Sequence, residues 1–122
     1  MSVSMPSHYL KATNFGFSIP GGSTIEGIVV EVERKESGSN VAKDYRVRII
    51  KGGSIGSTEK ANASEWPTSD TYQSYGAFND VWGETWSASD INDSGFGVAI
   101  AALGLGTGTA YIDHIRITVY YS

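Results

Sequence analysis

From Ile25 to Lys35 the chain alternates, with Ile28, Val30 and Val32 on one parity and Val29, Glu31 and Glu33 on the other. A period of two sends successive side chains to opposite faces, so the segment predicts a β-strand with one buried face. Asp44 to Lys51 repeats the pattern, with Tyr45, Val47 and Ile49 on one face and Arg46, Arg48 and Ile50 on the other. Glu36 to Lys43, which contains Ser37-Gly38-Ser39-Asn40, reads as the loop between them. If the two strands form an antiparallel hairpin, one register sets Val30 opposite Ile49 and Val32 opposite Val47 inside, and shifts by two residues keep the same faces. Glu31 then meets Arg48 and Glu33 meets Arg46 outside, a ladder that selects register more than it stabilises.

Tyr9 to Phe17 holds one short strand, and Pro20-Gly21-Gly22 is a turn. Gly52-Gly53 turns into a short strand near Ser54 to Glu59, and a loop carrying Trp66-Pro67 follows. Tyr72 to Tyr75 is a strand, leading into an aromatic stretch through Phe78, Trp82 and Trp86. Ser87 to Asn92 has the signature of one capped helical turn, with Ser87 as N-cap and Asp90 three positions on. Phe96, Val98 and Ile100 open a strand whose other face is Gly97, Ala99 and Ala101. Gly104 to Gly108 reads as a hairpin loop before the last strand, Thr109 to Tyr121. Seven or eight short strands with frequent turn signals predict an all-β fold, an antiparallel β-sandwich or a barrel, of which the sandwich is adopted.

Composition narrows this further. The 122 residues suit a single domain, assigned to 9–122, preceded by a flexible arm at 1–8. Only 18% of residues are charged, and 15 glycines mark many turns, which excludes a helical bundle. A net charge of −4 argues against a nucleic-acid partner, whose footprint is a basic patch. No run approaches the roughly 18 apolar residues of a membrane helix. The opening residues have neither the basic nor the apolar region of a signal peptide. With no cysteine, disulfides, zinc–thiolate sites and thiol catalysis drop out.

Candidate chemistry is sparse. Asp113 and His114 are adjacent on a strand, so regular alternation points them to opposite faces and prevents a base–orienter pair. His114 falls on an outer face with Arg116 and Thr118 and reads as a surface histidine. Asp90-Ile91-Asn92-Asp93-Ser94-Gly95 imitates the start of a calcium loop, but Ala101 stands where the bidentate glutamate belongs and a strand follows. Gly104 to Gly108 lacks the lysine of a phosphate loop. No catalytic, cofactor or metal residues are assigned, and an enzyme is not expected. On the last strand Asp113 shares parity with Tyr111, Ile115, Ile117, Val119 and Tyr121, which predicts a buried, hydrogen-bonded structural carboxylate. Tyr72, Tyr75, Trp82 and Trp86 offer either a glycan-stacking platform or core filling. Large aromatics in a small domain favour the core.

Four segments carry a resemblance: NFGFSIPGGSTIEGIVVEVERK (14–35), WPTSDTYQSYG (66–76), VWGETWSASDINDSGFGVAI (81–100) and AYIDHIRITVYY (110–121). In order and spacing they resemble a β-sandwich domain of tailed-bacteriophage structural proteins, such as capsid decoration (cement) proteins or tail and fibre modules. The resemblance implies jelly-roll topology, a non-enzymatic virion component and a major capsid or tail protein as partner. It also implies assembly in the host cytoplasm and self-association as a dimer or trimer. On that reading Met1, Ser2, Val3, Ser4 and Met5 form an arm that orders on a neighbour, and the small Gly97, Ala99 and Ala101 face allows close packing. Tyr111 to Ile115 is also similar to the closing strand of jelly-roll carbohydrate-binding modules. That similarity keeps a receptor-binding alternative, with Tyr72, Tyr75, Trp82 and Trp86 stacking on sugar.

Overall fold

The computed structural model describes residues 5–6, 8–37, 42–104 and 109–122. Its strands are β1 (Met5–Pro6), β2 (Leu10–Thr13), β3 (Ile25–Glu36), β4 (Ala42–Lys51), β5 (Ser54–Ile55), β6 (Thr71–Ala77), β7 (Gly97–Gly104) and β8 (Ala110–Tyr121). One short helix, α1 (Ala88–Asn92), precedes β7. Pairing is antiparallel throughout and divides the strands between two sheets. The first runs β1-β7-β4-β5, with β2 on the same side of β7 as a second short partner. The second runs β6-β3-β8.

The expected hairpin of β3 with β4 does not form. β3 lies between β6 and β8, while β4 lies between β7 and β5. Ile28, Val30, Val32, Val47 and Ile49 turn inward as predicted and are buried. Tyr45, expected with them, is skipped by a register shift between Asp44 and Arg46 and stays half-buried, while Asp44 is buried. Alternation specifies a face and leaves the partner open, so a loop long enough to cross between sheets lets both strands bury their apolar sides. The outer glutamates accordingly meet other cations. Glu31 stands opposite Arg116 and Glu33 opposite His114 on β8, whereas Arg46 and Arg48 both reach Glu59. Ile50, expected on the outer face, is buried as well.

Residues of both sheets enter one hydrophobic cluster. Ile28, Val30, Val32 and Tyr75 come from one sheet, Val47, Ile49, Val98 and Ile100 from the other, and Ile91, Trp82 and Phe96 from the connections. The helical turn forms as its residues dictate. The Ser87 side chain accepts from the Asp90 amide, and the Asp90 carboxylate accepts from the Ser87 amide. Asn92 ties this turn to the opening segment through two bonds with the backbone of Ile19. Its side chain is thereby committed to structure.

Two boundaries change. Met5 and Pro6, assigned to the arm, pair with Gly104 and Leu103 on β7. Met1–Ser4 and Ser7 lie outside the described residues. The segment between β7 and β8, expected as a hairpin loop, joins strands of different sheets, and residues 105–108 also lie outside the described residues.

Candidate functional site

β8 is the outer strand of its sheet, and β2 lies on the outer side of β7 in the other. Between them runs a groove of about 320 Å³, lined by Leu10, Ala12, Thr13 and Phe15 on one side and Ile112, Asp113, His114 and Ile115 on the other. Ile115, Ile117 and Val119 point into the interior as alternation requires and Ile112 joins them, yet all four remain half-buried. Ile28, Val30 and Val32, their neighbours on β3, are 0–1% exposed. Leu10 at 47%, and Tyr9, Tyr111, Tyr120 and Tyr121 at comparable values, add apolar surface to β8 and the start of β2.

A bulge sets the chemistry of the groove wall. His114 pairs with Glu33 and Ile112 with Arg34, which leaves Asp113 as the extra residue on β8. The parity of the strand therefore flips at this point. Asp113, expected as a buried structural carboxylate, is exposed, and Ile112 takes the inward place. His114 is a surface histidine as read from the sequence. Its Nδ1 stands 2.8 Å from Glu33 Oε1, and this hydrogen bond holds its pKa above the usual value. Next along the strand, Arg116 donates to both carboxylate oxygens of Glu31, at 2.9 and 3.2 Å, and its guanidinium lies 3.9 Å from the centre of the Tyr72 ring. The hydrogen bond from Arg116 lowers the Glu31 pKa. At the bulge, Asp70 shares a hydrogen bond with Asp113, which raises the Asp70 pKa, and Lys35 Nζ lies 3.8 Å from Asp70. The rim charges are thus largely paired, so the surface offers apolar contact and a free strand edge.

A second polar constellation is buried, and the sequence reading missed it. Asp44 Oδ1 accepts from Arg34 Nη1 at 2.6 Å and from Trp66 Nε1 at 2.9 Å. Its Oδ2 accepts from the Tyr75 hydroxyl at 2.5 Å and from the Asn62 amide at 3.0 Å. Burial, reinforced by the adjacent carboxylate, pushes the Tyr75 hydroxyl pKa far upward. The Arg34 guanidinium also lies 5.2 Å from the centre of the Trp66 ring. Four donors saturate one carboxylate, so the cluster ties β3, β4, β6 and the Trp66 loop together. One signal was legible: Arg34 and Glu36 share the parity of Ile28, Val30 and Val32, and both are buried.

The proposed stacking residues do not form an exposed platform. Trp82 is 1% exposed, and its indole donates to the Ile28 carbonyl at 2.9 Å. That fit requires Gly76, whose φ is +86° and where an added Cβ would sit 2.3 Å from the Ile28 oxygen. Tyr75 belongs to the Asp44 cluster. Trp86 packs edge-on against Phe96, with centroids 5.4 Å apart. Tyr72 is partly exposed beneath Arg116. Gly97, Ala99 and Ala101, expected to offer a flat packing face, are all buried; longer residues pair beside them, Lys11 and Arg48 with Ala99 and Arg46 with Ala101. Among the described residues no group of three or more His, Asp or Glu side chains is placed to hold a metal ion, and no helix is long and apolar enough to cross a membrane.

Compared with known protein families, curated proteins and solved structures, the chain matches none.

Proposed function

We propose that this chain is a non-catalytic virion structural protein, a capsid decoration module that binds a shell or tail protein by protein–protein contact. The observation that carries the reading is the open side of the core, where β8 presents half-buried isoleucines beside exposed Leu10 and Tyr111. Contiguous apolar surface of this kind on a small domain marks an interaction site. The resemblance of the four sequence segments to phage structural domains supplies the biological setting. The jelly-roll sandwich is part of the same proposal. Its support is that the chain changes sheet on passing from β2 to β3, β3 to β4, β5 to β6, β6 to β7 and β7 to β8, with antiparallel pairing throughout.

The test is co-sedimentation of the purified chain with phage particles that lack it. Saturable binding at a fixed copy number per capsomer is expected, and Leu10→Asp abolishes it while leaving the unfolding midpoint near that of the parent. Binding that never saturates, or that Leu10→Asp leaves intact, overturns the reading.

A further inference from the structure

We infer that the free edge of β8 is a self-pairing surface, which joins two copies of this chain about a two-fold axis at Thr118. The inference rests on the reading of this side as a protein interface and names the occupant of its β8 half as a second copy.

The Ile28 amide donates to the Asp80 carbonyl, and the Ile28 carbonyl accepts from Trp82, both on the β6 side of β3. Ile28 therefore spends nothing on its β8 neighbour, Val119. Val119 must then aim its own N–H and C=O away from β3. Alternation extends this to Ile117 and Ile115. Tyr121 points the same way, since Ser122 and Thr24 exchange both of their backbone bonds. These residues line an edge that no described strand covers. Edges are ordinarily defended by lysine, proline or an inward charge. From His114 to Tyr121 β8 has neither lysine nor proline, and its cations are already paired with Glu33 and Glu31.

Charge then selects the register. A dyad at Arg116 sets two guanidinium groups face to face, and a dyad at Ile115 sets His114 against Arg116. Directly opposed like charges destabilise such a pair. A dyad at Ile117 draws the Asp113 bulge into the paired stretch. With the dyad at Thr118, Ile117 meets Val119 and Ile115 meets Tyr121, so outward-pointing backbone groups find each other. Arg116 meets Tyr120, so no like charges stand directly opposed. The bulge falls just beyond the end of the pairing, where it stops the ladder. The half-buried Ile115, Ile117 and Val119 gain apolar neighbours, and the sheets join as β6-β3-β8-β8-β3-β6.

Sedimentation velocity on the full chain tests this across the micromolar range, where a species of twice the chain mass is expected. Thr118→Lys places like charges on the dyad, at an exposed position, and should weaken association about tenfold or more without lowering the unfolding midpoint. The chain has no cysteine, so Thr118→Cys is a clean reporter. Thr118 would face its own copy as a non-hydrogen-bonded pair with Cα atoms about 4.5 Å apart, within disulfide range. Mild oxidation should cross-link Thr118→Cys much faster than Ser57→Cys, which sits on an exposed loop. A monomeric parent chain, an associating Thr118→Lys variant, or equal cross-linking of the two cysteine variants each overturns the pairing. A monomer that still binds particles would refute the pairing alone. A dimer that ignores particles would refute the virion reading alone.

Discussion

Arg34 and Asp44 meet at 2.6 Å with their side chains 3% and 1% exposed, an ion pair that links strands of different sheets. A buried carboxylate is tolerated only when donors replace the water it has lost. Asp44 has four, and it stands where β3 has just crossed to β4. The pair thus closes the end of the core that the crossover would otherwise leave polar and open.

Removing the two partners should have unequal effects. Asp44→Ala strands a guanidinium, an indole N–H, a hydroxyl and a backbone amide together, and should cost about 3–5 kcal/mol. Arg34→Met leaves the carboxylate three of its donors and should cost clearly less. Urea denaturation of both variants checks the order, and the reverse order would show that Asp44 is not the centre of the cluster.

Tyr75 gives the cluster an alkaline limit. Its hydroxyl pKa is raised in the folded protein, so the unfolded chain ionises first. Stability is unaffected below the unfolded value of about 10 and falls as pH rises beyond it. Tyr75→Phe should cost about 1–2 kcal/mol at neutral pH through the lost hydrogen bond. The same variant should lose part of the alkaline slope, as read by denaturation at a series of pH values.

His114 should titrate above the ordinary histidine range, because Glu33 bonds its ring; Asp113 and Asp70 add to the shift in the same direction. A raised folded pKa means that its contribution is fully present below about pH 6.5 and disappears as pH rises through the folded value. Proton NMR of the ring should show the raised midpoint, and Glu33→Gln should return it toward normal. An unshifted midpoint in the parent would mean that the Glu33 contact does not persist in solution.

Gly97 holds β2 against β7. A Cβ there would lie 1.8 Å from the Ala12 carbonyl oxygen, which is backbone and cannot swing aside. Gly97→Ala should cost about 1–3 kcal/mol. It should also accelerate amide exchange in Leu10–Thr13 more than in β3. Uniform exchange across both strands would contradict local release of β2.

Much of the fold was legible because its signals are local. Ser87 and Asp90 cap a helical turn within four residues of chain, and the structure reproduces both reciprocal bonds. Ile28, Val30 and Val32 face inward as their parity requires. The errors arise where a single residue or a distant partner decides. One bulge moves Asp113 from the core to the surface, because the part of β8 before it runs out of phase with Ile115, Ile117 and Val119. The small side chains of Gly97, Ala99 and Ala101 suggested a contact face, when they mark an interior strand.

Alternation and turn chemistry alone determined that this is a chain of short antiparallel strands, which face of β3 and β4 is buried, and where the helical turn begins. Only the tertiary structure decided that β3 pairs with β6 and β8 and not with β4, that Arg34 and Asp44 share one buried site, and that β8 is left with an open edge. The reason is physical. Side-chain period is a property of each strand by itself, whereas pairing depends on which distant strand can bury the same face and satisfy the same backbone groups.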